Sequence, residues 1–153
     1  MCKLTGTYVL EQLQLSNQIC HRLYVASNAV TRAYRPLLKE LDITYPQYVV
    51  MMALWQFNDI EVGRVQSLTK IDAGALTQIL KKMVDKGLVC LTPTEEDRRV
   101  KRVNLTKAGR ELEQKASDIP LKLMCHLKGL ESEDIQKLKT VLDILVDNVL
   151  LEE

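Results

Sequence analysis

The apolar residues of this chain recur at helical spacing along almost its whole length, except between Leu88 and Leu105, where the period drops to two. That switch limits the fold more than any other feature, because a mostly helical molecule must then accommodate one short β-hairpin. Leu88-Val89-Cys90-Leu91-Thr92 reads as one strand and Pro93 to Arg98 as a polar turn. In the second strand Lys101, Val103 and Leu105 alternate with Val100, Arg102 and Asn104. Gly87 ends the helix before this segment and Thr106 caps the one after it.

The helices around the hairpin are read from their caps and stripes. Val62, Val65 and Leu68 mark a short helix, Thr69-Lys70-Ile71 a tight turn, and Asp72 the N-cap of a second helix carrying Leu76, Ile79, Leu80, Met83 and Val84. Two helices so joined form a helix-turn-helix. Upstream, Thr44 and Gln47 have the spacing of a capping box with Pro46 in the first turn, and that helix runs through Tyr48, Met51, Met52 and Trp55 until Asn58-Asp59 breaks it. A long first helix is expected over residues 9–41, with Leu13, Cys20, Leu23, Ser27, Val30, Tyr34, Leu37 and Leu41 on one stripe. Pro36 predicts a kink or break in it near Ala33 to Arg35.

After the hairpin, a helix passes through Leu112 and Ala116, Pro120 disturbs it, and Leu121 to Leu127 resumes the pattern. A last helix from about Asp134 to Leu151 repeats Ile135, Leu138, Val141, Leu142, Leu145 and Val149. Both ends carry more apolar residues than a surface helix needs, which predicts a homodimer built from them. The expected fold is mainly α with a small β-hairpin: a winged helix-turn-helix over about 45–105, with dimerisation helices at about 9–41 and 106–151, all within one domain of 153 residues.

Composition narrows the class. With 46% hydrophobic residues a chain of this length can bury a core. It contains no run of eighteen apolar residues, and Met1-Cys2-Lys3-Leu4-Thr5-Gly6-Thr7-Tyr8 lacks a signal-peptide pattern, so a cytoplasmic protein with no membrane partner is expected. Cys2, Cys20, Cys90 and Cys125 are far apart and form no Cys-x-x-Cys pair, which argues against a disulfide scaffold or zinc ribbon. The net charge is only +1, yet residues 81–110 carry nine Lys/Arg against four Asp/Glu, while residues 111–153 carry five against ten. A basic segment centred on the hairpin fits a polyanion-binding surface.

A helix-turn-helix followed by a wing reads double-stranded DNA by placing its second helix in the major groove and the wing along the backbone. The exposed face of that helix offers Ala73, Ala75, Thr77, Gln78, Lys81 and Lys82. Gln78 suits an adenine edge, Thr77 a base or phosphate, and the lysines phosphates. At the wing tip Arg98 and Arg99 are placed for the minor groove or its phosphates, with Asp97 available to hold one guanidinium.

Cys20 has unusual company. It lies among tyrosines rather than metal ligands, which points to a redox-sensing thiol. Tyr24, four residues on, can reach it; Tyr34, fourteen residues on, lies about 21 Å along a continuous helix and cannot. His21 and His126 adjoin cysteines, but neighbouring helix positions point about 100° apart, so neither Cys-His pair readily chelates a metal. Cys90 on a strand reads as core and Cys2 as a terminal thiol.

Asp97-Arg98-Arg99, followed by Val103-Asn104-Leu105-Thr106-Lys107-Ala108-Gly109, resembles the Asp-x-Arg, Leu-Thr-x-x-Gly wing signature of the MarR family of winged-helix regulators. Asn17-Gln18-Ile19-Cys20, the block from Ala29 to Leu38 and the block from Leu41 to Tyr48 resemble its organic hydroperoxide sensing branch, over about Leu15 to Leu127. The resemblance implies a homodimeric repressor, not an enzyme, that binds an inverted-repeat operator without a cofactor and releases it when its cysteine is oxidised. It also implies that Tyr34 and Tyr45 meet the sulfur; by the helix geometry they must then come from the partner subunit. Cys125 stands where two-cysteine members carry a resolving thiol, which implies an intersubunit disulfide between Cys20 and Cys125.

The recognition helix departs from that branch. Its members usually carry Asp-Ser-Gly-Thr-Leu-Thr-Pro, whereas this chain has Asp72-Ala73-Gly74-Ala75-Leu76-Thr77-Gln78, so operator identity does not transfer from relatives. Two competing readings are a MarR-type regulator gated by a small phenolic ligand or zinc, and a thiol peroxidase. The second lacks a catalytic Arg or Thr signature around Cys20.

Overall fold

The computed structural model describes residues 10–125, 127 and 129–150. Cys2, His126 and Leu151, with the outermost ends of both expected terminal helices, lie outside the described residues. The chain divides into two compact units at the Ser117–Asp118 boundary.

In the first unit, α1 (Ile19–Lys39) is shorter than the expected 9–41 helix. Residues before it form two single 3-10 turns, Glu11–Leu13 and Leu15–Asn17, separated by extended backbone at Gln14 and followed by extended Gln18. Side-chain amides drive the difference: Asn17 donates to the Glu11 carbonyl at 2.9 Å and Gln18 to that of Gln12 at 2.5 Å. These local bonds compete with the helical ladder. The expected break at Pro36 is absent, since α1 runs through it to Lys39. Pro36 falls in the last turn, where its missing N–H removes a single bond near an end that frays anyway.

α2 (Tyr45–Gln56) begins as expected, with the Gln47 side-chain oxygen accepting the Thr44 N–H at 3.0 Å. It packs against α1 and against α3 (Val62–Thr69), α4 (Ala73–Asp85), β3 (Lys101–Leu105) and α5 (Lys107–Ala116). A helix so surrounded must be apolar on most sides, and Tyr48, Val50, Met51 and Leu54 are all buried. α3 and α4 meet at a turn in which Lys70 adopts left-handed backbone (φ 55°), and Asp72 caps α4 by accepting the Ala75 N–H at 2.9 Å. At the far end of α4, Gly87 (φ 67°) donates to the Val84 carbonyl and Leu88 to that of Met83, a Schellman motif that turns the chain into the hairpin.

The hairpin pairs β2 (Val89–Pro93) with β3, in register from Val89 opposite Leu105 to Pro93 opposite Lys101. A third strand, β1 (Ile60–Glu61), pairs antiparallel with the other edge of β3, giving the order β1-β3-β2. Two residues are too few to show alternation, so β1 left no mark in the sequence pattern. Val89, Val103 and Leu105 face the core with Leu76, Leu80 and Met83 of α4 and Val65 of α3. Cys90 corrects the expectation of a core thiol: strand alternation turns it to the exposed face, where its sulfur sits 3.7 Å from the Asn104 carbonyl.

The Leu-Thr-x-x-Gly run has a mechanical explanation. Leu105 is buried, and the Thr106 hydroxyl oxygen accepts the Gly109 N–H at 3.1 Å while donating to the Gly87 carbonyl at 2.6 Å. Gly109 lies so close to β2 that a Cβ there would stand 2.1 Å from the Leu88 carbonyl oxygen. The run seats the start of α5 directly on the base of the wing.

In the second unit, Pro120 sits in the first turn of α6 (Ile119–Met124) rather than interrupting a longer helix. α7 (Ser132–Leu150) carries exposed Leu138, Val141, Ile144, Leu145 and Val149. No described helix is long and apolar enough to cross a membrane.

Candidate functional site

α4 presents two opposed faces. Leu76, Leu80 and Met83 are fully buried, whereas Ala73, Ala75, Thr77, Gln78, Lys81 and Lys82 are all exposed. The Thr77 hydroxyl donates to the Ala73 carbonyl at 2.8 Å, which leaves its lone pairs outward as acceptors. Gly74 and the two alanines keep the amino-terminal turn of α4 slim, as close approach to a groove floor requires.

The wing tip is an ordered turn built on Asp97. Its carbonyl accepts the Val100 N–H at 2.9 Å and the Thr94 hydroxyl at 2.6 Å, and its carboxylate accepts the Arg99 N–H at 2.9 Å. The Arg99 guanidinium lies 3.9 Å from that carboxylate and is almost wholly exposed. Arg98 beside it is exposed too. The structure thus brings Asp97 and Arg99 together as the spacing suggested. Arg102, for which the sequence suggested no role, pairs with Asp59 at 2.8 Å.

Around the thiol, the structure separates what the stripe had grouped. Cys20 is exposed at the second position of α1, and Tyr24 is exposed one turn on. Because α1 is continuous from Ile19 to Lys39, Tyr34 lies about 21 Å farther along it. Tyr34 instead meets Tyr45, with ring centroids 4.9 Å apart, and Tyr48 at 5.8 Å. Burial pushes the Tyr34 phenol above its ordinary pKa, and Tyr45 and Tyr48 push it further, so it remains an O–H donor at neutral pH. Sequence reasoning missed Tyr48: its position in a buried helix gave no hint that it backs Tyr34. A cleft of ≈ 410 Å³ adjoins Tyr45, lined by Leu38, Ile43 and Pro46 and by the charged Arg35, Lys39, Asp42 and Lys86. Cys125, just after α6, is exposed. Among the described residues no group of three or more His, Cys, Asp or Glu side chains gathers as a metal site.

A helix-turn-helix with a hairpin wing and outward cations on both defines a winged-helix DNA-binding protein. The model of the family described as transcriptional regulator SarA/Rot matches residues 32–116. The organic hydroperoxide resistance transcriptional regulator of Bacillus subtilis is 37% identical over 91% of this chain and 94% of its own length. Staphylococcus aureus SarZ is 32% identical over 81% and 84%. Among solved structures, reduced AbfR bound to DNA superposes with a TM-score of 0.76 at 27% identity, covering 94% of this chain and 98% of AbfR. A MarR variant from E. coli complexed with operator DNA also gives 0.76, at 26% identity over 83% and 92%.

The chain belongs to the MarR family of winged-helix transcriptional regulators, in the branch of the organic hydroperoxide resistance regulators. It is a DNA-binding regulator, not an enzyme.

Proposed function

We propose that this chain is a cytoplasmic, homodimeric repressor that holds an inverted-repeat operator through α4 and the wing and releases it when an organic hydroperoxide oxidises Cys20. One observation carries the thiol reading: Tyr34 and Tyr45 form a pair 4.9 Å apart at the far end of the helix that carries Cys20. Two phenols that meet a sulfur from that distance must reach the Cys20 of the partner subunit, so oxidation there acts on dimer geometry. The apolar residues exposed from Leu10 to Ile19, and those along α7, supply surfaces for such a dimer. The Leu38, Ile43 and Pro46 lining beside Tyr45 suits the organic part of the oxidant.

The chemistry balances without a cofactor. The Cys20 thiolate attacks one peroxide oxygen, the O–O bond breaks, and the departing alkoxide takes a proton and leaves as an alcohol. Sulfur is then a sulfenic acid. Attack by Cys125 of the partner subunit forms the S–S bond and expels the oxygen as water. Both thiols are exposed, as this sequence requires. After cumene hydroperoxide treatment, non-reducing gels are expected to show a linked dimer for wild type and none for Cys125→Ser; a monomer-only wild-type lane rejects the disulfide.

On the DNA side, Arg98→Ala is expected to weaken binding to all sequences alike and to flatten the salt dependence by about one unit per protomer. Gln78→Ala is expected to cost roughly 1–3 kcal/mol at a single base-pair position only. Binding titrations over a salt series and a panel of single-substitution duplexes separate the two, and uniform losses for both variants would remove Gln78 from base readout.

A further inference from the structure

Two aspartates in this chain adopt left-handed backbone, Asp42 (φ 52°) and Asp59 (φ 60°), and each is gripped in the same manner. Lys86, the C-cap of α4, donates through Nζ to the Asp42 carboxylate at 2.9 Å and also to the Asp42 main-chain carbonyl. Arg102, on β3, donates through Nε to the Asp59 carboxylate at 2.8 Å and through its terminal nitrogen to the Asp59 carbonyl. In both cases one cation takes two acceptors of a single residue whose short side chain tolerates that backbone. The partners are 44 and 43 residues apart in sequence.

The two clamps share a second property. Each cation belongs to an element assigned above to DNA, the carboxy-terminal end of α4 or the inner wing strand. Each aspartate belongs to a loop on the supporting frame, after α1 or after α2. The wing clamp is reinforced, because Asn58 accepts the Leu105 N–H at 3.1 Å and Glu61 pairs with Arg102 across β1 and β3. The Arg102 hydrogen bond also holds the Asp59 carboxyl below its usual range.

We propose that Asp42 and Asp59 are positioning residues for DNA binding, holding the recognition helix by its carboxy-terminal end and the wing by β3. Neither touches DNA; they act through Lys86 and Arg102. This rests on the assignment of α4 and the wing as the DNA-reading elements.

Charge and position make opposite predictions here. An aspartate near a polyanion repels it, so if repulsion is all it contributes, Asp→Asn tightens binding. If the aspartate positions a reading element, the same substitution weakens binding. Asparagine keeps the shape and tolerates left-handed backbone, so the fold is retained.

The test is a binding titration over a salt series, with an inverted-repeat duplex selected by the wild-type protein from random-sequence DNA. Asp42→Asn and Asp59→Asn are each expected to weaken binding about fivefold. Lys86→Met is expected to weaken it with an unchanged salt slope, and Asp42→Asn added to Lys86→Met to cause no further loss. Equal or tighter binding by the two Asp→Asn variants overturns the proposal. So does a salt slope that falls by about one unit per protomer in Lys86→Met, which would make that lysine a phosphate contact. A wild-type protein that selects no duplex overturns the DNA assignment itself and this inference with it.

Discussion

Cys20→Ser is expected to bind operator DNA like wild type and to stay bound at hydroperoxide concentrations that release wild type completely. Cys20 is exposed in the first turn of α1, so exchanging sulfur for oxygen leaves no cavity in the core. It lies outside α4 and the wing, the elements proposed to read DNA, so affinity of the reduced state is expected to be retained. A serine hydroxyl does not form the sulfenic acid on which the proposed response depends. The check is an anisotropy or gel-shift titration of both proteins with cumene hydroperoxide. Release of Cys20→Ser at the wild-type concentration would move the sensor elsewhere, with exposed Cys125 and Cys90 the thiols to examine next.

Gly109→Ala is expected to destabilise the protein by about 3 kcal/mol, the upper end of what overpacking usually costs, lowering the melting temperature by roughly 10 °C. The added Cβ would meet the Leu88 carbonyl oxygen at 2.1 Å and Leu105 Cδ2 at 3.1 Å. The first obstacle is backbone and cannot rotate away, so α5 must lift from the hairpin. Lifting it strains two further bonds: the Gly109 N–H to the Thr106 hydroxyl at 3.1 Å, and the Trp55 indole N–H to the Gly109 carbonyl at 3.0 Å. Thermal melts followed by circular dichroism measure the loss. Gly63→Ala is the control, since nothing lies within 4 Å of a Cβ at that helical position. A Gly109→Ala melt within about 2 °C of wild type would show that α5 can shift freely.

Much of the frame was legible because its signals are local. Thr44 with Gln47, Asp72 with Ala75, and Thr106 with Gly109 each satisfy helix-terminal groups three residues away, a distance visible in any linear reading. The fall from helical to two-residue period located β2 and β3 for the same reason. Readings that depended on neighbours fared worse. A strand position suggests the core for Cys90, yet alternation turns it to the exposed face. Residues before Ile19 continue the apolar stripe, but Asn17 and Gln18 spend their side chains on local carbonyls and the α-helix starts later. Pro36 signals a break wherever it stands, yet within a last turn it causes none.

The sequence by itself determined the order of the main helices and the hairpin, the helix caps, the outward basic face of α4, the charged wing tip and the presence of a thiol near the start of a long helix. All of these follow from periodicity and from interactions spanning a few residues. Only the tertiary structure decided that Tyr34 meets Tyr45 and Tyr48, that β1 adds a third strand at the edge of the sheet, that Gly109 lies against Leu88, and that Lys86 and Arg102 each grip a left-handed aspartate. Contacts across tens of residues are set by how packed faces meet, and the burial that drives them is a property of the whole fold rather than of any one segment.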